Sequence, residues 1–301
     1  MKSAAGTGRD TNDRDEIELP ATMPCQSSTR SIAIAGLSMV YEDHDRVSAR
    51  RVPLLLLHGA VQSRRVWSAQ ADAFAGGRRV IAPDLRGHGD TRGEAADLSL
   101  GRHADDMIAL LDALALPKVV VCGVSLGGMV ALEMVARAPD RITGVVLADT
   151  PLALSMTGLV RGLIETLGPQ RILWPFFTLL GRRRTGRLGL AMARLIFGKK
   201  WVGKAAGDLF VEGFSTMSRE AIVETYAAIV AADPVALDIA DRPCLVIVGR
   251  YETTLVVSHA GEIARRLGRT EIVSVEGGHV PNVDAPEEFN AAVMRFLEKS
   301  V

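Results

Sequence analysis

The chain has 301 residues, with 35 Lys and Arg against 35 Asp and Glu, so its formal net charge is zero. A length of this order buries one large core, or a core plus an inserted layer, and a neutral balance excludes the global field that would draw nucleic acid. Three cysteines, Cys25, Cys122 and Cys244, make no disulfide framework, and the chain reads as cytoplasmic. From the N-terminus, Met1 to Arg9 lack an apolar stretch and Asp10 to Glu18 are highly charged. Neither resembles a signal peptide or a membrane span, and residues 1–30 read as a mobile tail. Ser31 to Ala35 and Leu37 to Tyr41 read as an edge hairpin turning at Gly36. Pro53 to Leu57, Arg79 to Ala82, Lys118 to Cys122, Gly144 to Ala148, Pro243 to Val248 and Thr270 to Val275 are short apolar runs, as suits strands buried on both faces. Asp105 to Leu114 alternates apolar and charged residues at helix spacing, with Ser99 as a cap. Parallel strands joined by crossover helices give a doubly wound α/β sheet, with ligands at the C-terminal ends of the strands. From Pro151 to Asp233 there are helical patterns and no convincing strand, so the core comprises residues 31–150 and 234–301, with 151–233 as a helical insertion. No metal-ligand spacing, cofactor loop or internal repeat stands out. Arg86-Gly-His-Gly89 lacks the lysine and helix start of a phosphate loop.

The most informative stretch is Gly123-Val-Ser125-Leu-Gly127. It follows the run Lys118 to Cys122 and opens into Met129 to Ala136. This reads as strand, tight turn, helix. The reversal is so sharp that a side chain at Gly123 or Gly127 would collide with its neighbours, and it lifts the Ser125 hydroxyl to a helix N-terminus. The bland alternative, a glycine-rich turn with an idle serine, fits this context less well. A serine hydroxyl is a poor nucleophile until a base takes its proton, and the expected base is a histidine held by a carboxylate. Glu276-Gly-Gly-His279 follows the predicted strand Thr270 to Val275 and precedes a helix from Pro286 to Lys299. His279 therefore falls on a loop at the same sheet edge as Ser125. The other histidines read blandly: His44 and His103 as surface residues, His259 at a helix start, and His58 and His88 in structural loops.

The ordered segments Leu54-Leu-Leu-Leu-His-Gly59, Val80-Ile-Ala-Pro-Asp-Leu-Arg-Gly-His-Gly-Asp90, Gly123 to Gly127, Leu245-Val-Ile-Val-Gly249 and Gly278-His-Val-Pro281 carry a family likeness. From about Ser31 to Leu297 the chain resembles the α/β-hydrolase fold family, in its esterase, lactonase and carbon–carbon hydrolase branch. The dehalogenase and epoxide hydrolase branches use an Asp nucleophile where this chain has Ser125. The family usually places its acid as an Asp three residues after the Gly that ends the strand before the late helix. Here Gly249-Arg-Tyr-Glu252 puts a glutamate in that slot, one methylene longer. The rival acid is Asp149, at the end of the preceding strand, whose bland reading is a loop residue binding backbone amides. For the oxyanion, the expected donors are the backbone amides of Leu126 and Ala60, with Val61 in reserve. Trp67 reads as packing.

The resemblance makes the insertion 151–233 a helical lid. It holds Trp174, Phe176, Phe177, Phe197, Trp201, Phe210, Phe214 and Tyr226, and its stretch from Arg171 to Lys204 carries nine basic residues and no acidic one. Apolar residues facing the core with bases outside is the first reading. The second is a hydrophobic pocket wall, with Val61, Trp174 and Phe177 touching substrate, and a positive outer face suited to an anionic or carrier-linked substrate. The third is a basic amphipathic helix on a membrane surface. The expected activity is a serine hydrolase cleaving a carboxylic ester or lactone of an apolar small molecule through Ser125, His279 and Glu252. It would need no cofactor and no metal, bind no nucleic acid, span no membrane, and act as a monomer or homodimer. Alternatives are a carbon–carbon bond hydrolase or carrier thioesterase with the same groups, and a non-catalytic binding member of the fold.

Overall fold

Leu54 to Leu57 and Val119 to Val124 are apolar on both sides of the backbone, and both runs are buried throughout as strands β3 (Leu54–Leu57) and β6 (Val119–Val124). Runs of this kind form the middle of a sheet covered by helices on each face. The computed structural model describes residues 27–45, 51–93, 97–153, 159–235 and 242–300. Its further strands are β1 (Ser27–Ile34), β2 (Leu37–His44), β4 (Val80–Pro83), β5 (Arg92–Gly93), β7 (Ile142–Ala148), β8 (Cys244–Gly249) and β9 (Thr270–Val275). They join one sheet in the order β1-β2-β4-β3-β6-β7-β8-β9, with β5 on β2. Pairing is parallel from β4 to β9, and β2 runs antiparallel to both its neighbours. The hairpin turns at Gly36, as expected. Its first strand starts at Ser27, opposite His44, and so reaches into the stretch read as tail. Residues 1–26 lie outside the described residues.

Alternate residues of the central strands feed opposite cores. Leu55, Leu57, Val119, Val121, Val145 and Leu147 face α2 (Leu100–Ala113), α3 (Leu126–Arg137) and α8 (Thr254–Leu267). Leu54, Leu56, Val120, Cys122, Val146 and Ala148 face α1 (Ser68–Phe74) and α10 (Pro286–Ser300). Trp67 is fully buried on the second side and packs on Phe289, its centroid 6.0 Å away. Ser99 caps α2 by accepting the Arg102 amide. The register pairs Leu57 with Gly123, Gly123 with Leu147, Ala148 with Ile247 and Gly249 with Val275. The strands therefore end nearly level, and the loops after β3, β6, β8 and β9 emerge at one edge.

Between β7 and β8 the described residues form helices α4 (Leu159–Leu180), α5 (Arg182–Phe197), α6 (Lys204–Thr216) and α7 (Arg219–Val230), with no strand among them. α4 is broken at Gly168, whose φ of 65° is not helical, with Pro169 restarting the helix. The short α9 (Pro281–Asp284) follows the His279 loop. Three histidine readings are corrected. His259 lies inside α8 and not at its start, buried, with its Nδ1 accepting the Leu152 amide at 3.2 Å. His103 is fully buried, because it falls with Leu100, Ala104, Met107, Leu110 and Leu111 on the inner face of α2. His44 is also buried, where β2 pairs with β4.

Candidate active site

The turn after β6 has the geometry its glycines imply. A Cβ on Gly123 would lie 2.3 Å from the Gly127 backbone, and one on Gly127 would lie 2.1 Å from the Leu57 carbonyl oxygen. Ser125 sits between them with φ 52°, a left-handed conformation costly for a residue with a side chain. Its amide donates to the Ala148 oxygen at 2.9 Å, and α3 begins at the next residue. The strained turn thus aims the hydroxyl over the sheet edge.

The histidine loop meets it there. Ser125 Oγ lies 2.9 Å from His279 Nε2, and His279 Nδ1 lies 2.5 Å from Glu252 Oε2. These partners define the proton arrangement: Nδ1–H donates to the carboxylate, and Nε2 accepts the serine proton. The Glu252 side chain is fully buried, and its other oxygen accepts the Thr253 amide at 2.5 Å and the Trp201 indole N–H at 3.0 Å. Burial pulls the His279 pKa down, but the hydrogen bond and charge of Glu252, helped by Asp149, leave it above the ordinary value. Burial alone would raise the Glu252 pKa, whereas its bonds to His279, Thr253 and Trp201 leave it below the usual carboxylate range.

Asp149 stands elsewhere in the network. Its Oδ1 accepts the Gly249 amide at 3.0 Å, which ties β7 to the start of the Glu252 loop. It is buried, its backbone has φ 41°, and its Oδ2 has no hydrogen-bond partner among the described residues. Burial, reinforced by the charge of Glu252, pushes its pKa well up.

The loop after β3 crosses beside Ser125. The Gly59 amide is taken by Gln62 Oε1 at 2.9 Å, whereas the Ala60 and Leu126 amides have no loop or turn acceptor among the described residues. His58 braces this loop. Its Nδ1–H donates to the Gly59 oxygen and its Nε2 accepts the Leu85 amide, and burial lowers its pKa to about 4. Val61 is fully buried at φ 55° in a cluster with Phe177, Phe214 and Met217. Trp174 lies outside that cluster and is exposed. A Cβ on Gly213 would lie 1.9 Å from the Val61 oxygen, so α6 rests directly on the loop.

Sequence reading gave Trp201 no role beyond an aromatic of the insertion. The structure stacks its ring on His279, centroids 4.9 Å apart and 24° from coplanar. Its carbonyl accepts the His279 amide at 2.7 Å. The Gly-Gly pair before His279 also has a firmer reason than loop freedom. A Cβ on Gly278 would lie 2.0 Å from the Trp201 oxygen, so only glycine lets the two loops touch. Among the described residues no cluster of three or more His, Cys, Asp or Glu is placed to hold a metal, and no helix is long and apolar enough to cross a membrane.

A serine on a strained strand-to-helix turn, a histidine on a late loop and a level parallel sheet coincide with a family match over residues 54–292, to the alpha/beta hydrolase family. The chain belongs to the α/β-hydrolase family. Among its relatives, this hydrolase is 24% identical over 259 residues to 3-oxoadipate enol-lactonase 2 of Acinetobacter baylyi, covering 83% of this chain and 90% of that one. It is 28% identical to the dihydrolipoyllysine-residue acetyltransferase component of the acetoin cleaving system of Pseudomonas putida, covering 82% of this chain. The match spans only 64% of that longer relative. A solved hydrolase from Pseudomonas aeruginosa superposes with a TM-score of 0.73 at 26% identity, over 90% of this chain and 98% of its own.

Proposed function

We propose that this hydrolase cleaves a carboxylic ester or lactone of an apolar small molecule by way of an acyl-enzyme on Ser125. The observation that carries the reading is the relay Ser125 Oγ to His279 Nε2 at 2.9 Å and His279 Nδ1 to Glu252 Oε2 at 2.5 Å. His279 takes the hydroxyl proton as Ser125 Oγ attacks the substrate carbonyl. Glu252 holds the imidazole in the tautomer that accepts at Nε2 and stabilises the imidazolium that forms. The Ala60 and Leu126 amides receive the negative charge on the carbonyl oxygen. His279 then gives its proton to the leaving oxygen, and the acyl-enzyme forms. Water, deprotonated by the same imidazole, attacks the acyl carbonyl and restores the free hydroxyl.

Asp149 is assigned here to bracing the Glu252 loop, since it bonds the Gly249 amide. Val61, on the loop after β3, and Phe177, on the inserted helix α4, are assigned to the pocket wall, and the inserted helices to the lid. The carboxylate in the family's acid slot supports catalysis over binding alone, and the enol-lactonase relative favours an ester or lactone carbonyl. The two buried free thiols, Cys122 and Cys244, fit a reducing cytoplasmic compartment. Labelling with a fluorophosphonate, followed by a panel of p-nitrophenyl esters and lactones of increasing chain length, tests the reading. Modification at Ser125 together with turnover of at least one ester or lactone is expected. An unlabelled Ser125 in folded protein would refute the serine mechanism.

A further inference from the structure

Helix α5 is built the reverse of an ordinary surface helix. Its buried residues are Thr185 and Gly186, and it rests on α6 through close approaches at Gly186 and Gly207. Apart from the half-buried Leu190, which packs toward α6, its large apolar side chains point the other way. Leu188, Met192, Leu195 and Ile196 recur at i, i+4, i+7 and i+8, one face of a helix, and all are exposed, Leu195 at 79% and Ile196 at 65%. Phe176 and Leu179 of α4 are exposed as well, Leu179 at 84%. The expectation that apolar residues here face the core and bases face solvent does not hold for this stripe.

The charge around the stripe is one-signed. From Arg171 to Lys204 there are nine bases and no acid, and since 35 bases balance 35 acids overall, the rest of the chain carries nine more acids than bases. Arg182, Arg183 and Arg184 occupy the first turn of α5, where they oppose the helix dipole. Among the described residues Arg183, Arg184 and Arg187 form no ion pair. With Leu180, Gly181, Arg182 and Ser215 they line an open groove of about 460 Å³ that contains no carboxylate. On its α6 side a neighbouring groove does include Asp208 and Glu212. At its C-terminal end the face reaches the candidate site, where Phe197 lies 4.7 Å from Trp201, the ring stacked on His279.

We infer that the outer face of α4 and α5 docks on an anionic lipid bilayer. A bilayer interface satisfies both halves of the face at once: apolar side chains enter the acyl boundary while arginines meet phosphate headgroups. An acidic protein would neutralise the arginines yet leave Leu179, Leu195 and Ile196 without apolar cover. A second copy of the chain, related by a two-fold axis, would set the same arginines against one another. The chain lies on the surface in this arrangement and does not span it.

Flotation of the full-length protein with vesicles tests this, and it reads binding without requiring turnover, so it fails independently of the serine mechanism. Vesicles of phosphatidylcholine with one third phosphatidylglycerol should carry the protein at low salt. Pure phosphatidylcholine should carry about tenfold less, and high salt should release it. Leu195→Glu with Ile196→Glu, and separately Arg183→Gln with Arg184→Gln and Arg187→Gln, should each cut binding about tenfold. Both variants should keep the wild-type circular dichroism melt, because every substituted side chain is exposed. Absence of wild-type flotation with the anionic vesicles overturns the inference. So does a dimer in sedimentation velocity that these variants dissociate, or retention on polyglutamate beads without vesicle binding.

Discussion

The sheet and the inserted helices meet around His279 but obey different packing rules. In the sheet, β3, β6 and β8 bury every residue, and the side chains of each strand divide between two helical layers. In the insertion, α5 buries two small residues and exposes Leu188, Met192, Leu195 and Ile196. The first region holds its loops through register, since slipping one residue would invert every side chain of a strand. The second touches the site mainly through backbone, at the Trp201 carbonyl and at Gly213, together with one indole. On the proposed mechanism, the reacting groups stand on loops of the sheet, and the insertion meets them through Trp201.

The largest test of that division lies on the sheet side. Ser125→Ala and His279→Ala should each lower kcat by about 10⁴–10⁶, with the double variant hardly worse than either single. Thermal melts should stay close to wild type, and a Ser125→Ala enzyme that still turned over would break the scheme. Next in size, Glu252→Gln should cost about 10⁴ in kcat. Glu252→Asp should retain part of the activity, and Asp149→Asn should cost far less. If Asp149→Asn proved the more damaging, the acid would belong to the earlier strand. Because Glu252 holds the His279 pKa above 6.5, kcat/KM should fall on the acid side with an apparent pKa above that value.

A smaller effect probes the insertion. Trp201→Phe keeps an aromatic ring for His279 but removes the N–H that Glu252 Oε1 accepts. A reduction of about tenfold in kcat is expected, the scale of a lost hydrogen bond to a charged group. The less dispersed carboxylate charge should also move the acid limb of the pH profile upward. A purely structural tryptophan would change the melt and leave the limb in place.

The smallest effect at neutral pH lies in a cluster of the sheet side, the buried rings of His58, His88 and His103, with successive ring centroids 5.1 and 6.1 Å apart. Burial lowers their pKa values to about 4, 3 and 3. The unfolded chain takes up protons below about pH 6.5 that the folded chain refuses, so their share of stability is full above that pH and is lost as pH falls. Urea midpoints should decline from pH 6.5 toward pH 4, and His103→Leu should lessen the decline. An unchanged slope would show that these rings already exchange protons in the folded state. Trp201→Phe should leave this dependence untouched, which separates the two regions again.

Local chemistry determined much of this protein. The apolar runs define the strands because a β-strand covered on both faces must be apolar at every position. The elbow around Ser125 is legible because its two glycines answer a steric demand within a few residues. The Gly249 to Glu252 spacing carried the carboxylate to the loop that meets His279. Even the burial of His103 was there to be read, at helical spacing between Leu100 and Met107. Tertiary structure alone decided the rest. Trp201 reaches Glu252 across 51 residues, and Asp149 reaches Gly249 across 100, with no period or motif linking them. Hydropathy could not tell which way α5 faces either, because a stripe of leucine and isoleucine has the same period against a core or against solvent. Only the packing of Gly186 and Gly207 at the α5–α6 contact turned that stripe outward, because backbones can approach most closely where side chains are smallest.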